Sequence, residues 1–319
     1  MPLDHPVVSS LVPVVLLIVV GLVAGRLQLI RQEAVRDLSN LVFLVLTQAL
    51  LFRTMSTVRV QELDFTPVSL YFAVAGGLFF ALLVLQGFNT RAAVVALACT
   101  FSNTVMIGIP LVGLAYGKEA LILLFTLISL HALVLLTVAT VVLELLEVRE
   151  QTAAGKLEEH HPAATVARAV RNAVVHPVPM PIIAGLLFAQ TGWTLPAVVD
   201  RPLLLLGNAF GPVALVLVGV TLAQSSLGKE LKMALPIAAV KTLLHPLLMA
   251  IAGWAFGLRG MPLTVLVVAA SLPVGANVFL FAQRYQKAQD LVTASVAVST
   301  VVALVSVTLV MLLVPTISG

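Results

Sequence analysis

Long apolar runs constrain this chain more than any other feature of its sequence. A helix needs about 20 apolar residues to cross the hydrocarbon core of a bilayer, and runs of roughly that length recur along the whole chain. They predict ten membrane-crossing helices, at residues 7–25, 38–55, 67–85, 91–115, 120–146, 177–189, 202–223, 235–256, 263–285 and 294–314. The sixth is short and begins among prolines, which a helix tolerates in its first turn.

The composition is typical of a protein whose surface faces lipid. Charged residues make up 10% of the chain and hydrophobic residues 60%, whereas a soluble domain is about 25% charged. The sequence therefore predicts an all-α integral membrane protein. The basic residues are scattered between apolar runs, so no nucleic-acid partner is expected. Glycines four residues apart, Gly21 with Gly25 and Gly207 with Gly211, predict faces where two helices pack closely.

The distribution of basic residues predicts the orientation. Cytoplasmic loops are enriched in lysine and arginine, and alternate loops hold 12 of the 18 such residues. These are Arg26, Arg31, Arg36, Arg91, Arg149, Lys156, Arg168, Arg171, Lys229, Lys232, Arg284 and Lys287. We therefore expect a bacterial cytoplasmic (inner) membrane protein with both termini outside and the central loop in the cytoplasm. The first run has no basic segment before it, so it is not expected to be a cleaved signal peptide.

The longest connection, residues 147–176, divides the predicted helices five and five. An odd number of helices in each half means that the second half enters the membrane inverted, which is a common plan of secondary transporters. We therefore expect a first five-helix repeat at residues 1–146 and an inverted one at 177–319. The linker contains His160 and His161 beside Glu158 and Glu159. These residues could form a metal site, but a solvated charged linker is the favoured interpretation.

Spans four and nine share an anomaly. Residues 102–110 read Ser-Asn-Thr-Val-Met-Ile-Gly-Ile-Pro, and residues 271–277 read Ser-Leu-Pro-Val-Gly-Ala-Asn. Proline removes a backbone donor and glycine loosens a helix, and freed backbone groups are tolerated in a membrane only inside protein or beside a wet cavity. Either segment alone could be an ordinary kink. Matching breaks in the fourth span of both halves favour a substrate site.

Broken helices can hold an anion without a cationic side chain. The N-terminus of each half-helix carries partial positive charge, and backbone N–H groups with an amide side chain can bind a carboxylate. The candidate substrate-binding residues are Asn103, Thr104, Gly108, Pro110, Pro273, Gly275 and Asn277. Among these, Asn103 and Asn277 are expected to supply amide contacts.

These motifs also resemble a known family. The segments Asn103-Thr104…Gly108-Ile109-Pro110-Leu111 and Leu272-Pro273-Val274-Gly275…Phe279…Phe281-Ala282…Tyr285 are similar to those of the auxin efflux carrier family, which includes plant auxin exporters and bacterial malonate-type carriers. The resemblance covers essentially the whole chain. It implies that spans four and nine cross at unwound centres, with the substrate near the crossing. Asn103 and Pro110 then fall on the first crossing motif and Pro273 on the second.

Two departures from the family pattern bear on the substrate. Plant exporters have a second proline where this chain has Val278, and many bacterial members have a proline where it has Gln48. The first departure argues against auxin. The stretch around Asn277 is closer to the malonate-type members, and the family resemblance is consistent with a homodimer.

Three ionisable side chains lie inside predicted spans: His131, Lys241 and His245. Lys241 and His245 are four residues apart and share one helix face. The group is a possible proton or anion relay, but Lys241 could instead snorkel to the cytoplasmic surface, and either histidine could be a packed neutral imidazole. All 14 acidic residues lie in loops or near span ends, with Glu144 nearest to an interior position.

The sequence excludes several functional classes. It has no His-Glu-x-x-His helix, no Gly-x-Ser-x-Gly elbow and no aspartate pair within a span, so neither an enzyme nor a cofactor is expected. An anion channel or a membrane receptor is the alternative to a carrier. We expect an alternating-access carrier for a small organic anion such as malonate or another short carboxylate, with a coupling proton or sodium ion left open.

Overall fold

The fold is all-helical in the computed structural model, which describes residues 6–58, 63–153, 179–224 and 230–318. We label the α-helices and three short π-helical segments in chain order. They are α1 (Pro6–Arg26), α2 (Gln32–Leu41), π1 (Val42–Leu46), α3 (Thr47–Met55), α4 (Thr66–Leu85), α5 (Thr90–Thr100), π2 (Thr104–Gly108), α6 (Ile109–Ala153, broken at Gly117), α7 (Pro179–Gln190), α8 (Ala197–Gln224), α9 (Leu231–Ala239), π3 (Val240–Leu244), α10 (His245–Ala255), α11 (Gly260–Ser271), α12 (Asn277–Arg284) and α13 (Gln289–Ser318).

Among the described residues, six helical stretches are long and apolar enough to cross a membrane. They are Gln32–Met55, Thr66–Leu85, Thr104–Ala153, Ala197–Gln224, Leu231–Ala255 and Gln289–Val314. Shorter apolar helices occupy Leu11–Arg26, Thr90–Thr100, Pro179–Gln190 and Gly260–Ser271. Each of these helices overlaps a predicted span, while the number of crossings stays a prediction.

The exposed helix faces are apolar. Leu16, Leu187 and Leu247 are each more than half exposed, and Val84 and Leu205 are exposed by 64% and 70%. A soluble protein rarely exposes so many large apolar side chains to water. Together with the apolar helix lengths, this surface identifies a multi-pass membrane protein.

The chain forms two compact units, each assembled from three separate segments. Unit 1 contains residues 1–65, 104–129 and 176–225, and unit 2 contains residues 66–103, 130–175 and 226–319. Each unit therefore draws on both predicted halves of the sequence. The border falls between Asn103 and Thr104, inside the first broken motif.

Unit 1 is held together by close helix packing. Helix α1 lies along α8, and α3 packs against α7 and α8. A side chain at Gly21 would collide with the backbone carbonyl of Val216, and one at Gly219 would collide with that of Ile18. Small residues let the two helix backbones approach this closely, as predicted for the Gly21 face.

Unit 2 surrounds α5 and α11, the two half-helices of the broken motifs. Helix α13 packs against α9, α11 and π3, and α4 packs against α5, α10 and α11. The π3 segment interrupts the stretch from α9 to α10 between Pro236 and Pro246. Such π segments commonly accompany proline or functional positions in a helix, and this one carries Lys241.

Candidate functional site

The two broken motifs meet in unit 2, and we call their meeting point the crossover (residues 101–103 and 272–277). Helix α5 ends at Thr100 and α11 ends at Ser271, each followed by an extended residue. Ser102 and Val274 form an antiparallel bridge. The Asn103 N–H donates to the Pro273 carbonyl over 2.9 Å. Backbone groups freed by one break are thus satisfied by the other, as a buried site requires.

Gly275 makes the close approach possible. Its N–H donates to the Phe101 carbonyl over 2.9 Å. A Cβ atom at Gly275 would lie 2.6 Å from Cδ1 of the Phe101 ring and 3.1 Å from the Ser102 carbonyl oxygen. A larger residue would therefore push the two segments apart.

A layer of buried polar groups supports the crossover from behind. The Tyr71 hydroxyl and the Ser102 hydroxyl are 3.0 Å apart and hydrogen bonded. The Val274 N–H donates to the Ser299 hydroxyl over 3.0 Å. Because Tyr71 lies on α4 and Ser299 on α13, two further helices fix the geometry of the pair.

The three interior ionisable residues are all buried in unit 2. The exposed fraction is 2% for His131 and 0% for Lys241 and His245. Lys241 does not snorkel, because its Nζ atom donates instead to the Ala270 carbonyl over 2.6 Å. This carbonyl belongs to the last turn of α11, so the lysine reaches the end of a broken helix.

The two histidines flank Tyr71. The ring centroid of Tyr71 lies 5.9 Å from that of His131 and 5.5 Å from that of His245. The His131 ring also lies 4.4 Å from that of Phe101. Neither nitrogen of His245 nor Nε2 of His131 hydrogen bonds to another described residue. The rings pack against aromatic neighbours rather than bonding to an adjacent helix.

Asn103, Ala276 and Asn277 are the accessible part of the crossover. Asn103 and Asn277 are half-buried and Ala276 is exposed, whereas residues 271–275 are buried. Asn277 is the first residue of α12. The positive end of this half-helix dipole therefore begins at an accessible amide side chain.

The other candidate residues belong to unit 1. Thr104 begins π2 and Gly108 ends it, and both are buried. Pro110 is the second residue of α6. The first break therefore lies at Phe101–Asn103 and not at this proline, because the second position of a helix has no donor to lose within the helix.

The structure thus brings together Asn103, Pro273 and Gly275, with Asn277 at the adjoining helix start. The sequence reasoning missed Tyr71, Ser299 and the Ala270 carbonyl. Tyr71 carried one usable signal, as a tyrosine within an apolar span. Nothing in the sequence pairs Ser299 with the second motif.

The acidic residues near the span ends are paired away from the crossover. Glu144 accepts hydrogen bonds from Arg284 over 3.1 Å and from the Tyr285 hydroxyl over 2.9 Å. Glu150 accepts from the backbone N–H of Thr90 over 2.7 Å. Among the described residues, no cluster of three or more acidic, histidine or cysteine side chains could hold a metal. The linker pair His160 and His161 lies outside the described residues.

Comparison with known proteins gives one family. The sequence profile of the family described as "Membrane transport protein" matches residues 6–311. A Rhizobium meliloti (strain 1021) protein named "Putative malonate transporter" is 28% identical over 92% of this chain and 91% of its own length. "Auxin efflux carrier component 8" of Arabidopsis thaliana is 24% identical over 63% of this chain, and the match spans 65% of that carrier's length.

Proposed function

Because the chain belongs to the membrane transport protein family of the auxin efflux carrier type, we propose that it is a secondary carrier that moves a small organic anion by alternating access. The observation that carries the proposal is the crossover itself. Two interrupted helices pair their backbones in unit 2 and leave two asparagine amides accessible. An ordinary kink needs no partner, whereas a paired, accessible break can hold a ligand.

The electrostatics of the crossover favour a negative substrate. The N-terminus of α12 presents partial positive charge, and Asn277 stands at that end. The Lys241 ammonium adds a cation behind α11. The described acidic residues of unit 2 that lie nearest the membrane interior are bound to other cations. A carboxylate would therefore meet donors and positive potential without a competing negative charge.

We assign the substrate to the short carboxylates, with malonate as the first compound to test. The support is the name of the Rhizobium relative, whose match covers 92% of this chain. Thr104, Gly108 and Pro110, which belong to unit 1, stay predicted substrate-binding residues.

The remaining architecture is also proposed. Helix α4, the broken stretch of α5, π2 and the part of α6 before Gly117, and the rest of α6 follow one order: a long span, a broken one, a long one. The stretch α9–α10, the broken pair α11 and α12, and α13 follow the same order. This order supports ten spans in two inverted five-helix repeats. The basic loops support an inner-membrane protein with external termini and a cytoplasmic centre. A homodimer stays a prediction.

Counterflow in proteoliposomes tests the function. Vesicles containing the purified protein and unlabelled malonate should accumulate external labelled malonate to a saturable level, because a carrier exchanges bound substrate. N103A and N277A should each lower counterflow at least about tenfold, since one amide hydrogen bond to a charged group contributes about 1.5–3 kcal/mol. N208A, which changes an exposed asparagine of α8, is the matched control.

The result has clear alternatives. Flux that rises linearly with concentration, without exchange, would indicate a channel, and binding without any flux would indicate a receptor. Wild-type counterflow by both N103A and N277A would reject the crossover as the binding site. Size-exclusion profiles matching the wild type should accompany each variant, so that lost flux is not mistaken for lost folding.

A further inference from the structure

The buried lysine Lys241 requires an explanation beyond anion binding. Its exposed fraction is 0%, and its Nζ atom donates a 2.6 Å hydrogen bond to the carbonyl of Ala270. The last carbonyls of a helix have no partner within that helix. Lys241 is therefore fastened to the half-helix that ends at the crossover, and its charge acts directly on that end.

No carboxylate in the described part of the chain forms an ion pair with Lys241. The ion pairs of Asp200, Glu144 and Glu150 go to other cations. An unpaired ammonium removed from water costs several kcal/mol, and lysine can avoid that cost by giving up its proton. The structure thus contains a cation site that lacks a fixed counter-ion.

The buried titratable groups around Lys241 are cysteine, histidine and tyrosine side chains, none of which carries a permanent charge. Cys99 lies on α5, which packs against π3. His245 follows one turn after the lysine and begins α10. Tyr71 and His131 complete the group, because the Tyr71 ring contacts the rings of both His245 and His131. None of these residues supplies a permanent negative charge.

The other elements packed against π3 add no buried charge. Helix α11 has no titratable side chain. Helices α5, α9 and α13 contribute Arg91, Lys232 and Asp290 within their described residues, and all three are exposed near helix ends. A counter-ion for Lys241 must therefore come from outside the described protein groups.

We propose that Lys241 is a proton-binding site that couples proton and anion transport: a neutral amine when the crossover is empty and an ammonium when a carboxylate is bound there. The inference rests on the proposed function and assigns its coupling ion. The bound carboxylate supplies the missing counter-charge, so each ligand strengthens the binding of the other.

The transport cycle conserves the proton. A proton from the solution on one side adds to the lone pair of the Lys241 amine nitrogen as the carboxylate enters. After the site opens to the other side, the carboxylate leaves and the nitrogen releases the proton to that solution. No covalent bond of the substrate changes. The empty carrier returns with a neutral lysine, which avoids moving an unpaired buried charge.

The same residues argue against sodium as the coupling ion. Sodium, like other hard cations, is held by oxygen ligands, most often carboxylates and carbonyls. Around Lys241 the free ring nitrogens belong to His131 and His245, and the Ala270 carbonyl is already bonded to the lysine. An ammonium at this point would also repel a second cation.

Proton movement accompanying malonate entry tests the inference. Proteoliposomes with a trapped pH dye and a potassium–valinomycin voltage clamp report protons carried per labelled malonate. Counterflow is measured on the same vesicles, because exchange of loaded carriers does not require the lysine to lose its proton. The wild type should carry about one proton per carboxylate through one titrating lysine.

Two substitutions separate charge from proton exchange. K241R keeps a permanent positive charge, so it should retain measurable counterflow while protons carried per malonate fall at least about fivefold. K241M has no charge and should lose both affinity and proton coupling. K232M is the matched control, because it removes an exposed lysine of α9, and its proton ratio should equal that of the wild type.

Each outcome decides a different claim. Wild-type counterflow combined with net malonate entry that carries no protons, or an unchanged proton ratio in K241R or K241M, would overturn the role of Lys241 and leave the carrier intact. If neither malonate nor any other short carboxylate shows counterflow, the proposed function falls and the inference falls with it. Adding sodium at constant potassium should leave wild-type flux unchanged; a requirement for sodium would also contradict the proposal.

Discussion

Two contacts between helices show how differently this protein brings backbones together. In unit 1, α1 and α8 approach as intact helices, and Gly21 and Gly219 sit directly against the carbonyls of Val216 and Ile18. In unit 2, the two broken motifs approach as extended segments that exchange N–H···O bonds. The first contact is packing alone, whereas the second leaves polar groups beside an accessible surface.

The difference teaches which sequence signal marks a site. Glycine occurs in both contacts, so glycine alone predicts only close approach. The crossover adds proline and asparagine to glycine in one motif, and among the described residues the buried lysine and histidines all lie in the same unit. A functional site should therefore be predicted where a broken helix and buried ionisable groups occur together.

The largest effect is expected from a substitution that disrupts the packing of α1 against α8. In G21L the new side chain meets backbone rather than a movable side chain, so we expect stability to fall by about 3 kcal/mol or more. The apparent melting temperature in detergent measures this loss. The malonate KM of the surviving folded fraction should stay within about twofold of the wild type.

The control for G21L is G77L, because a Cβ atom at Gly77 would meet nothing within 4 Å. Its melting temperature should match that of the wild type. A large change in KM with G21L would mean that the α1–α8 contact takes part in transport, which would remove the contrast drawn between the two contacts.

The next effect disturbs the crossover. In G275V the side chain would collide with the Phe101 ring, and overpacking of this kind costs about 1–3 kcal/mol. Counterflow should fall by about 5- to 100-fold, with a smaller loss of stability than in G21L. Unchanged counterflow in folded G275V would show that the tight approach at Gly275 is not needed for binding.

The smallest effect concerns the support behind the crossover. Y71F keeps the ring beside both histidines but removes the hydroxyl bonded to Ser102. Losing this hydrogen bond costs about 0.5–1.5 kcal/mol, so malonate affinity should fall about two- to tenfold. In Y116F the lost hydroxyl has no hydrogen-bond partner among the described residues, and affinity should not change.

The helices were largely predictable from the sequence. Apolar runs and span length follow directly from the cost of exposing backbone groups to lipid, and the observed apolar helices overlap all ten predicted runs. The breaks were also predictable, because the Pro-Gly-Asn motifs disfavour a continuous helix. The position of the first break was less predictable. It lies at Phe101–Asn103, whereas Pro110 is the second residue of the next helix.

Partners across the fold were not predictable. The hydrogen bond that the Val274 N–H donates to the Ser299 hydroxyl joins residues 25 positions apart, and no local pattern specifies it. The direction of the Lys241 side chain was not predictable either. A lysine near a span end can snorkel or turn inward, and the inward position became evident only from its bond to Ala270. The two units likewise arise from packing between distant segments.

A crystal structure with a brominated short carboxylate that displaces malonate tests the central claim most directly. The anomalous bromine signal locates the ligand without assumptions about the surrounding density. Our account predicts the carboxylate at the start of α12, with its oxygens within about 3 Å of the amides of Asn103 and Asn277. The account would be contradicted by a ligand bound away from the crossover while residues 101–103 and 272–277 stay paired as in this structure.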